Sequence, residues 1–193
     1  MQYEVEQKFP AADLDGVAGR LAAMGVAVGE PRRELDLYFA HPSRDFARSD
    51  EALRLRRIAG RNWITYKGPK IDPTTKTRRE IELPLPEGEA AFASWRGLLE
   101  ALGFRPVAEV SKSRRKAKVP WQGRQVEASL DEVDRVGRFV ELELVTDPSD
   151  LEPAKACIAS LAARLGLSGS ERRSYLELLL QGRGRSVTGR GDA

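Results

Sequence analysis

The chain has 193 residues, 41% of them hydrophobic and 32% charged, and this length favours one domain with a full hydrophobic core. Its 32 Lys and Arg residues nearly cancel its 29 Asp and Glu residues, which argues against a histone-like or polyanionic tail protein. One cysteine and one histidine exclude disulfide scaffolds and His- or Cys-rich metal sites, and no apolar run approaches the ~20 residues of a membrane span, so we expect a soluble cytoplasmic protein.

Four segments place apolar residues at the spacing of an amphipathic helix. The first covers residues 13–24, with Asp13 as its N-cap and a glycine directly after it. The others cover residues 87–102, 149–165 and 171–181. The remaining segment, 181–193, is rich in Gly and Arg and has no periodicity. We therefore predict one folded domain over residues 1–180 and a disordered basic tail.

Eight further runs alternate in character with a period of two residues, as β-strands do. They cover residues 3–9, 34–39, 52–58, 62–67, 77–85, 110–119, 124–132 and 138–145. Almost every run is charged on one face and apolar on the other. The charged faces carry Glu4, Glu6 and Lys8; Arg54 and Arg56; Thr65 and Lys67; Arg78, Glu80 and Glu82; Lys112, Arg114, Lys116 and Lys118; Glu127, Ser129 and Asp131; and Glu141 and Glu143.

Two architectures could account for charged faces on almost every strand. In an open sheet they would be the solvated side, whereas a sheet closed into a barrel would enclose them in a wet tunnel, with helices covering the apolar faces outside. A merely solvated face would mix Thr, Gln and Ser with Lys, but these faces concentrate carboxylates and cations. The sequence therefore predicts an α+β fold, an eight-stranded antiparallel β-barrel with helices packed outside.

The two signs of charge suit two parts of one ligand. Arg and Lys bind phosphate oxygens, as a bidentate fork and a point charge respectively. Carboxylates two residues apart suit a hard divalent cation such as Mg²⁺ or Mn²⁺. The residues alone therefore indicate a site for a polyphosphate with Mg²⁺ or Mn²⁺, with phosphoryl or nucleotidyl transfer as the expected chemistry.

At this point the residues resemble a known family. Glu4-x-Glu6-x-Lys8 is similar to the ExExK signature of the CYTH superfamily, the triphosphate tunnel metalloenzymes. Further matches follow in the order of that family, at Asp36–Phe39, Asp50–Arg56, Thr65–Lys70, Thr77–Glu82, Lys112–Arg114, Leu130–Asp131, Gly137–Glu143 and Arg173–Tyr175. The segment from Arg44 to Arg56 resembles the class IV adenylate cyclase-like branch in particular.

The resemblance implies roles for individual residues. It implies a divalent metal held by Glu4, Glu6, Glu141 and Glu143 with Asp131 nearby, and Glu80 and Glu82 as residues that bind a second metal or orient the cations. It implies a triphosphate held by Lys8, Arg54, Arg56, Lys67, Arg78 and Arg114, with Arg173 as a basic contact from the C-terminal segment. Glu4, Glu6, Glu141 and Glu143 are accordingly the expected catalytic set.

Three functions remain open from the sequence. A cyclase would convert ATP to cyclic AMP and pyrophosphate, and a triphosphatase would hydrolyse tripolyphosphate, thiamine triphosphate or a nucleoside triphosphate with the same charged residues. A polyphosphate-binding module without catalysis is the third hypothesis, but binding alone has less need of the paired carboxylates. We expect a small triphosphate-containing molecule as the partner, with no membrane and no nucleic acid, and the family leaves a homodimer open.

Overall fold

The computed structural model describes residues 3–70 and 77–187 of the chain. Its strands are β1 (Tyr3–Pro10), β2 (Arg32–Ala40), β3 (Ala52–Ile58), β4 (Arg61–Lys67), β5 (Glu80–Leu85), β6 (Arg105–Trp121), β7 (Arg124–Val133) and β8 (Gly137–Thr146). Its helices are α1 (Leu14–Ala23), α2 (Phe46–Ser49), α3 (Glu89–Ala101), α4 (Leu151–Arg164) and α5 (Tyr175–Val187), with a short 3-10 turn at Pro148–Asp150.

All eight strands belong to one antiparallel sheet, in the order β1-β8-β7-β6-β2-β3-β4-β5. The sheet curls so that its two edge regions meet, and an isolated antiparallel bridge joins Glu4 of β1 to Arg78, just before β5. The predicted fold class is confirmed, because the charged faces of the strands lie inside this curl and the helices pack outside it.

The outer faces are covered by two separate hydrophobic cores. One is formed by α1 and α4 against β1, β6, β7 and β8, and it buries Leu21, Leu130, Ile158 and Leu161 completely or nearly so. The other lies under α3, where Phe92 and Leu99 pack against Leu37 and Leu55. A third, smaller cluster joins α5 to one end of the barrel through Tyr175 and Leu179.

The helix boundaries follow from local signals. Asp13 caps α1 as predicted, because its side chain accepts a hydrogen bond of 2.8 Å from the backbone N–H of Gly16. Gly25 follows α1 with φ of 76°, a left-handed conformation that glycine adopts without strain and that lets the chain turn back toward β2.

Several elements differ from the sequence prediction. Helix α5 begins at Tyr175 and continues to Val187, so residues 181–187 are helical rather than part of a disordered tail; residues 188–193 lie outside the described residues. Helix α2 was not predicted, because its four residues are too few to show a helical period. Strand β6 begins at Arg105, five residues before the predicted start at residue 110.

No helix in the described part of the chain has the length and apolar character needed to span a membrane.

Candidate functional site

The inside of the curled sheet is a cavity of about 650 Å³. It is lined by charged side chains from seven strands and from the segment before β5. These are Glu4 and Glu6; Asp36; Arg54 and Arg56; Lys67; Arg78, Glu80 and Glu82; Lys112, Arg114 and Lys116; and Glu141 and Glu143. The alternation of each strand turns these residues inward, as the sequence predicted for all of them except Asp36.

On the β2–β3 wall, Asp36 is the centre of a buried ion-pair network. Arg56 donates two hydrogen bonds to its carboxylate, at 2.6 Å and 2.8 Å, and Lys112 donates one at 3.1 Å. Although burial opposes ionisation, Arg56, Lys112 and Arg54 hold the pKa of Asp36 well below its usual range. Asp36 is therefore ionised and fixes the orientation of the cations around it.

Glu34 extends this network toward β6. Its side chain is fully buried and lies 3.3 Å from Lys112 and 2.8 Å from Arg32. Burial again opposes ionisation, but Lys112, Arg114 and Arg56 lower the pKa of Glu34 to about 2.

Arg114 is held by a second buried network. Its guanidinium donates to both oxygens of Asp131, at 2.6 Å from Nε, and to Glu141 at 2.5 Å. The Tyr175 hydroxyl of α5 donates to Asp131 at 2.7 Å. Asp131 is completely buried and lies behind Arg114 rather than in the cavity lining, so both of its oxygens are engaged.

A third network of ion pairs lies at the seam, where β1 approaches β4 and β5. The Lys67 ammonium lies 2.5 Å from Glu80 and 3.6 Å from Glu4. Arg54 lies 3.7 Å from Glu80 and 3.9 Å from Glu82, which also accepts a hydrogen bond from Thr65 at 3.0 Å. The buried Nε of Arg54 has no hydrogen-bond partner among the described residues.

The β1–β8 wall has the opposite electrostatic balance. Burial, together with the nearby carboxylates of Glu4 and Glu6, raises the pKa of Glu143 well above its usual range. Burial also raises the pKa of Glu4, with Glu80 contributing and Lys67 opposing. Desolvation and neighbouring carboxylates thus both oppose the charged forms of Glu4 and Glu143, and we call this the under-compensated wall. A divalent cation bound there would relieve that opposition.

The carboxylates on this wall thus fit a hard cation in donor type and charge. Within residues 3–70 and 77–187, however, no three His, Cys, Asp or Glu side chains are already gathered into a metal-binding set. One carboxylate oxygen of Glu141 is paired with Arg114, and one of Glu80 is paired with Lys67. The metal ligands named from the sequence therefore remain predictions.

Two predicted phosphate ligands lie away from the cavity lining. The Lys8 side chain is completely buried, donates to the backbone carbonyl of Arg173 and lies 4.2 Å from the centre of the Tyr175 ring. The Arg173 guanidinium is half exposed and binds Glu171 and Gln181. In this conformation Lys8 anchors the C-terminal segment to β1, and its assignment to phosphate binding remains untested.

No site role was predicted for Glu34, Asp36 or Tyr175, which organise the cavity's cations. The alternation of Glu34, Asp36 and Tyr38 was a usable signal, since it repeats the charged-face pattern of the other strands. The role of Tyr175 had no local signal, because its partner Asp131 is 44 residues away.

Comparisons with known proteins agree with this geometry. The chain matches the CYTH domain over residues 2–175. It is 35% identical over 178 residues to a Methanocaldococcus jannaschii protein named "Putative adenylate cyclase MJ0240", covering 91% of this chain and 97% of that protein. It is 31% identical over 187 residues to "Adenylate cyclase CyaB" of Aeromonas hydrophila, covering 93% and 90%. The solved PH1819 protein from Pyrococcus horikoshii OT3 is 39% identical, with a TM-score of 0.81 and coverage of 92% of this chain and 98% of that one.

Proposed function

Since this chain belongs to the CYTH domain family, we propose that it is a metal-dependent enzyme acting on a triphosphate, and that its reaction is the class IV-type cyclisation of ATP to cyclic AMP and pyrophosphate. The single observation that supports this best is the cavity itself, in which buried cations and under-compensated carboxylates face each other across a space large enough for a nucleotide. The cyclase names of two relatives that match nearly the whole chain favour this reaction.

The cations would bind the triphosphate. Arg54, Arg56 and Arg114 offer positive guanidinium groups, although Asp36 and Asp131 already engage one edge of Arg56 and of Arg114. Lys67 and Arg78 add charge at the seam. Asp36 and Asp131 hold Arg56 and Arg114 in place, so we assign to these two aspartates the positioning of cations rather than metal binding. Preoriented cations stabilise the charge that develops on a leaving pyrophosphate.

The metal would be held by Glu4, Glu6, Glu141 and Glu143 on the β1–β8 wall, with Glu80 and Glu82 at the seam. When bound, Mg²⁺ or Mn²⁺ supplies Lewis-acid stabilisation of phosphate charge and of the attacking oxygen. The Lys67–Glu80 and Arg114–Glu141 pairs would open on binding, because the phosphates then take over the cations and the metal takes over the carboxylates.

In the cyclisation, the ribose 3′-oxygen forms a bond to the α-phosphorus as the bond to the bridging oxygen of pyrophosphate breaks. The proton of the 3′-hydroxyl passes to water in the cavity. Arg54, Arg56 and Arg114 bind the departing pyrophosphate, while the enclosing strands hold the ribose and α-phosphate in reach of each other.

A triphosphatase is the second candidate, because the same cations would hold a triphosphate with water as the nucleophile at its terminal phosphorus. The two reactions are separated by incubating the protein with Mg²⁺ or Mn²⁺ and ATP, tripolyphosphate or thiamine triphosphate in turn. Cyclic AMP with pyrophosphate is the expected result with ATP, and orthophosphate would identify the hydrolase instead. Glu4→Gln with Glu6→Gln is the matched inactive variant, and full activity in that variant would contradict the site.

A further inference from the structure

His41 lies in the turn that follows β2, and the structure holds its ring in one orientation. Its Nδ1 accepts hydrogen bonds from the backbone N–H groups of Ser43 and Arg44, both at 3.1 Å, and the Ser43 hydroxyl lies farther off at 3.4 Å. The ring also packs against two aromatic rings, with centroid distances of 5.2 Å to Phe46 and 5.1 Å to Phe104. Hydrogen bonds at one nitrogen and aromatic packing therefore fix the imidazole together.

These hydrogen bonds define the protonation state that the turn requires. A neutral imidazole has one donor and one acceptor nitrogen, whereas a protonated ring has two donors. Because Nδ1 of His41 accepts two N–H groups, the ring is neutral and its proton is on Nε2. Protonation of Nδ1 would place a third donor against these two N–H groups and remove both hydrogen bonds. Histidine is also the side chain whose charge ordinarily changes between about pH 5 and pH 8.

The charged groups around His41 come from three parts of the chain and balance one another. Arg44 and Asp45 belong to the same turn, Glu51 precedes β3, and Arg105 begins β6; all four line the cavity with His41. Arg44 pairs with Glu51 at 2.8 Å, and Asp45 accepts two N–H groups at the start of α2, at 3.1 Å and 3.2 Å. Two cations thus offset two carboxylates, so the two backbone donors at Nδ1 decide which form of the ring the folded turn accepts.

The same turn forms one wall of the cavity. Residues 41–47 line the cavity without interruption. Arg44 is connected through Glu51 to β4, because the Tyr66 hydroxyl donates to the same carboxylate oxygen at 2.5 Å. The conformation of the turn therefore sets where Arg44 and Glu51 place their charges at the rim of the cavity.

We propose that neutral His41 is a positioning residue for this rim, and that its protonation releases the turn and weakens the binding of a triphosphate in the cavity. The proposal rests on the proposed function for its ligand, and it adds control of that site by pH. Release of the turn separates Arg44 from Glu51 and leaves carboxylate charge at the rim, which opposes a polyanion. The positive charge gained by His41 would by itself strengthen binding of a polyanion, so the direction of the change distinguishes the two effects.

Two substitutions separate the hydrogen-bond acceptor from the ring. His41→Asn is the matched control, because an asparagine oxygen accepts the N–H group two residues on, favours a turn before a proline such as Pro42, and does not titrate. His41→Phe keeps an aromatic ring beside Phe46 and Phe104 but has no acceptor.

The first measurement is nuclear magnetic resonance of the full chain without ligand, at about pH 7.5 and about pH 5.5. His41 is the single histidine of the sequence, so the signals of its ring nitrogens are assigned directly. At the higher pH we expect the proton on Nε2 and slowed hydrogen exchange at the amides of Ser43 and Arg44. At the lower pH the protection of these amides, relative to intrinsic exchange, should fall about tenfold in the wild type and stay unchanged in His41→Asn. A proton on Nδ1 at the higher pH, or protection independent of pH in the wild type, would overturn the proposal.

The second measurement is a calorimetric titration of the same proteins with tripolyphosphate at the same two pH values. The ligand and the cavity carboxylates titrate alike in each protein, so the difference between proteins isolates His41. In acid the dissociation constant of the wild type should rise about tenfold more than that of His41→Asn, and His41→Phe should bind weakly at both pH values. Equal pH dependence in the wild type and His41→Asn, or tighter binding by the wild type in acid, would overturn the control of the site. Absence of binding by the wild type at both pH values would overturn the proposed function, and the amide signals would still show whether His41 switches the turn.

Discussion

The two charged walls of the cavity use the same residue types in opposite ways. On the β2–β3 wall, Asp36 and Glu34 lie among guanidinium and ammonium groups, and their pKa values are lowered. On the β1–β8 wall, Glu4 and Glu143 are half-buried near other carboxylates, and their pKa values are raised. The first wall is a finished ion-pair scaffold, whereas on the second wall neighbouring carboxylates oppose the ionisation of Glu4 and Glu143. Position in the barrel, rather than residue type, therefore decides whether the surroundings of a carboxylate favour or oppose its charge.

The largest expected effect comes from removing the centre of the finished wall. Asp36→Asn should lower the free energy of unfolding by about 3–5 kcal/mol, because it takes the nearest carboxylate away from the buried charges of Arg56 and Lys112. Urea denaturation without metal measures this. Glu143→Gln is the comparison variant and should leave the stability unchanged or raise it, because it removes an unfavourable charge. If both variants lose stability equally, the contrast between the walls is wrong.

Acid should weaken the finished wall in a defined pH range. The folded-state pKa of Glu34 is about 2 against an ordinary value of 4.5, so its stabilising contribution is complete above pH 4.5 and disappears as the pH falls toward 2. That difference corresponds to about 3 kcal/mol. Denaturation curves between pH 6 and 2 should show a smaller acid-dependent loss for Glu34→Gln than for the wild type. Identical pH dependence in the two proteins would contradict the ion pairing of Glu34.

A smaller effect is expected where α5 meets the barrel. Tyr175→Phe removes the hydrogen bond from the hydroxyl to Asp131 but keeps the ring over Lys8, and Arg114 still pairs with the aspartate. The free energy of unfolding should fall by about 1.5 kcal/mol, the usual contribution of a hydrogen bond to a charged group. Stability equal to that of the wild type would show that Tyr175 does not hold Asp131.

The smallest effect is expected at an ion pair outside the cavity. Arg96 and Glu100 lie 2.9 Å apart on α3, but their side chains are 52% and 40% exposed. Glu100→Gln should change the free energy of unfolding by less than about 0.5 kcal/mol, because solvent screens the pair. A loss as large as that of Asp36→Asn would mean that burial does not distinguish the ion pairs.

Much of the fold was predictable because the strands carry a strict period of two. The charged rows, the eight runs and the first helix with its Asp13 cap all follow from local pattern. The C-terminal end of α5 could not be predicted in this way. Residues 181–187 have little apolar character and were assigned to a tail, but they are helical.

The site was predictable as a set of residues but not as a set of pairs. Local alternation shows that Arg54, Arg56 and Arg114 face inward with the glutamates. It does not show that Arg56 binds Asp36, 20 residues away, or that Arg114 binds Asp131, because these pairs depend on the register between strands. The division into a finished wall and an under-compensated wall is therefore visible only in the structure.

The most direct test of the under-compensated wall is a calorimetric titration of tripolyphosphate with and without Mn²⁺, in the wild type and in Glu4→Gln with Glu143→Gln. We predict that Mn²⁺ strengthens binding in the wild type and that this strengthening is lost in the variant, while its urea midpoint without metal is maintained or raised. Equal strengthening by Mn²⁺ in both proteins would contradict the account, since the cation would then be held by residues other than this wall.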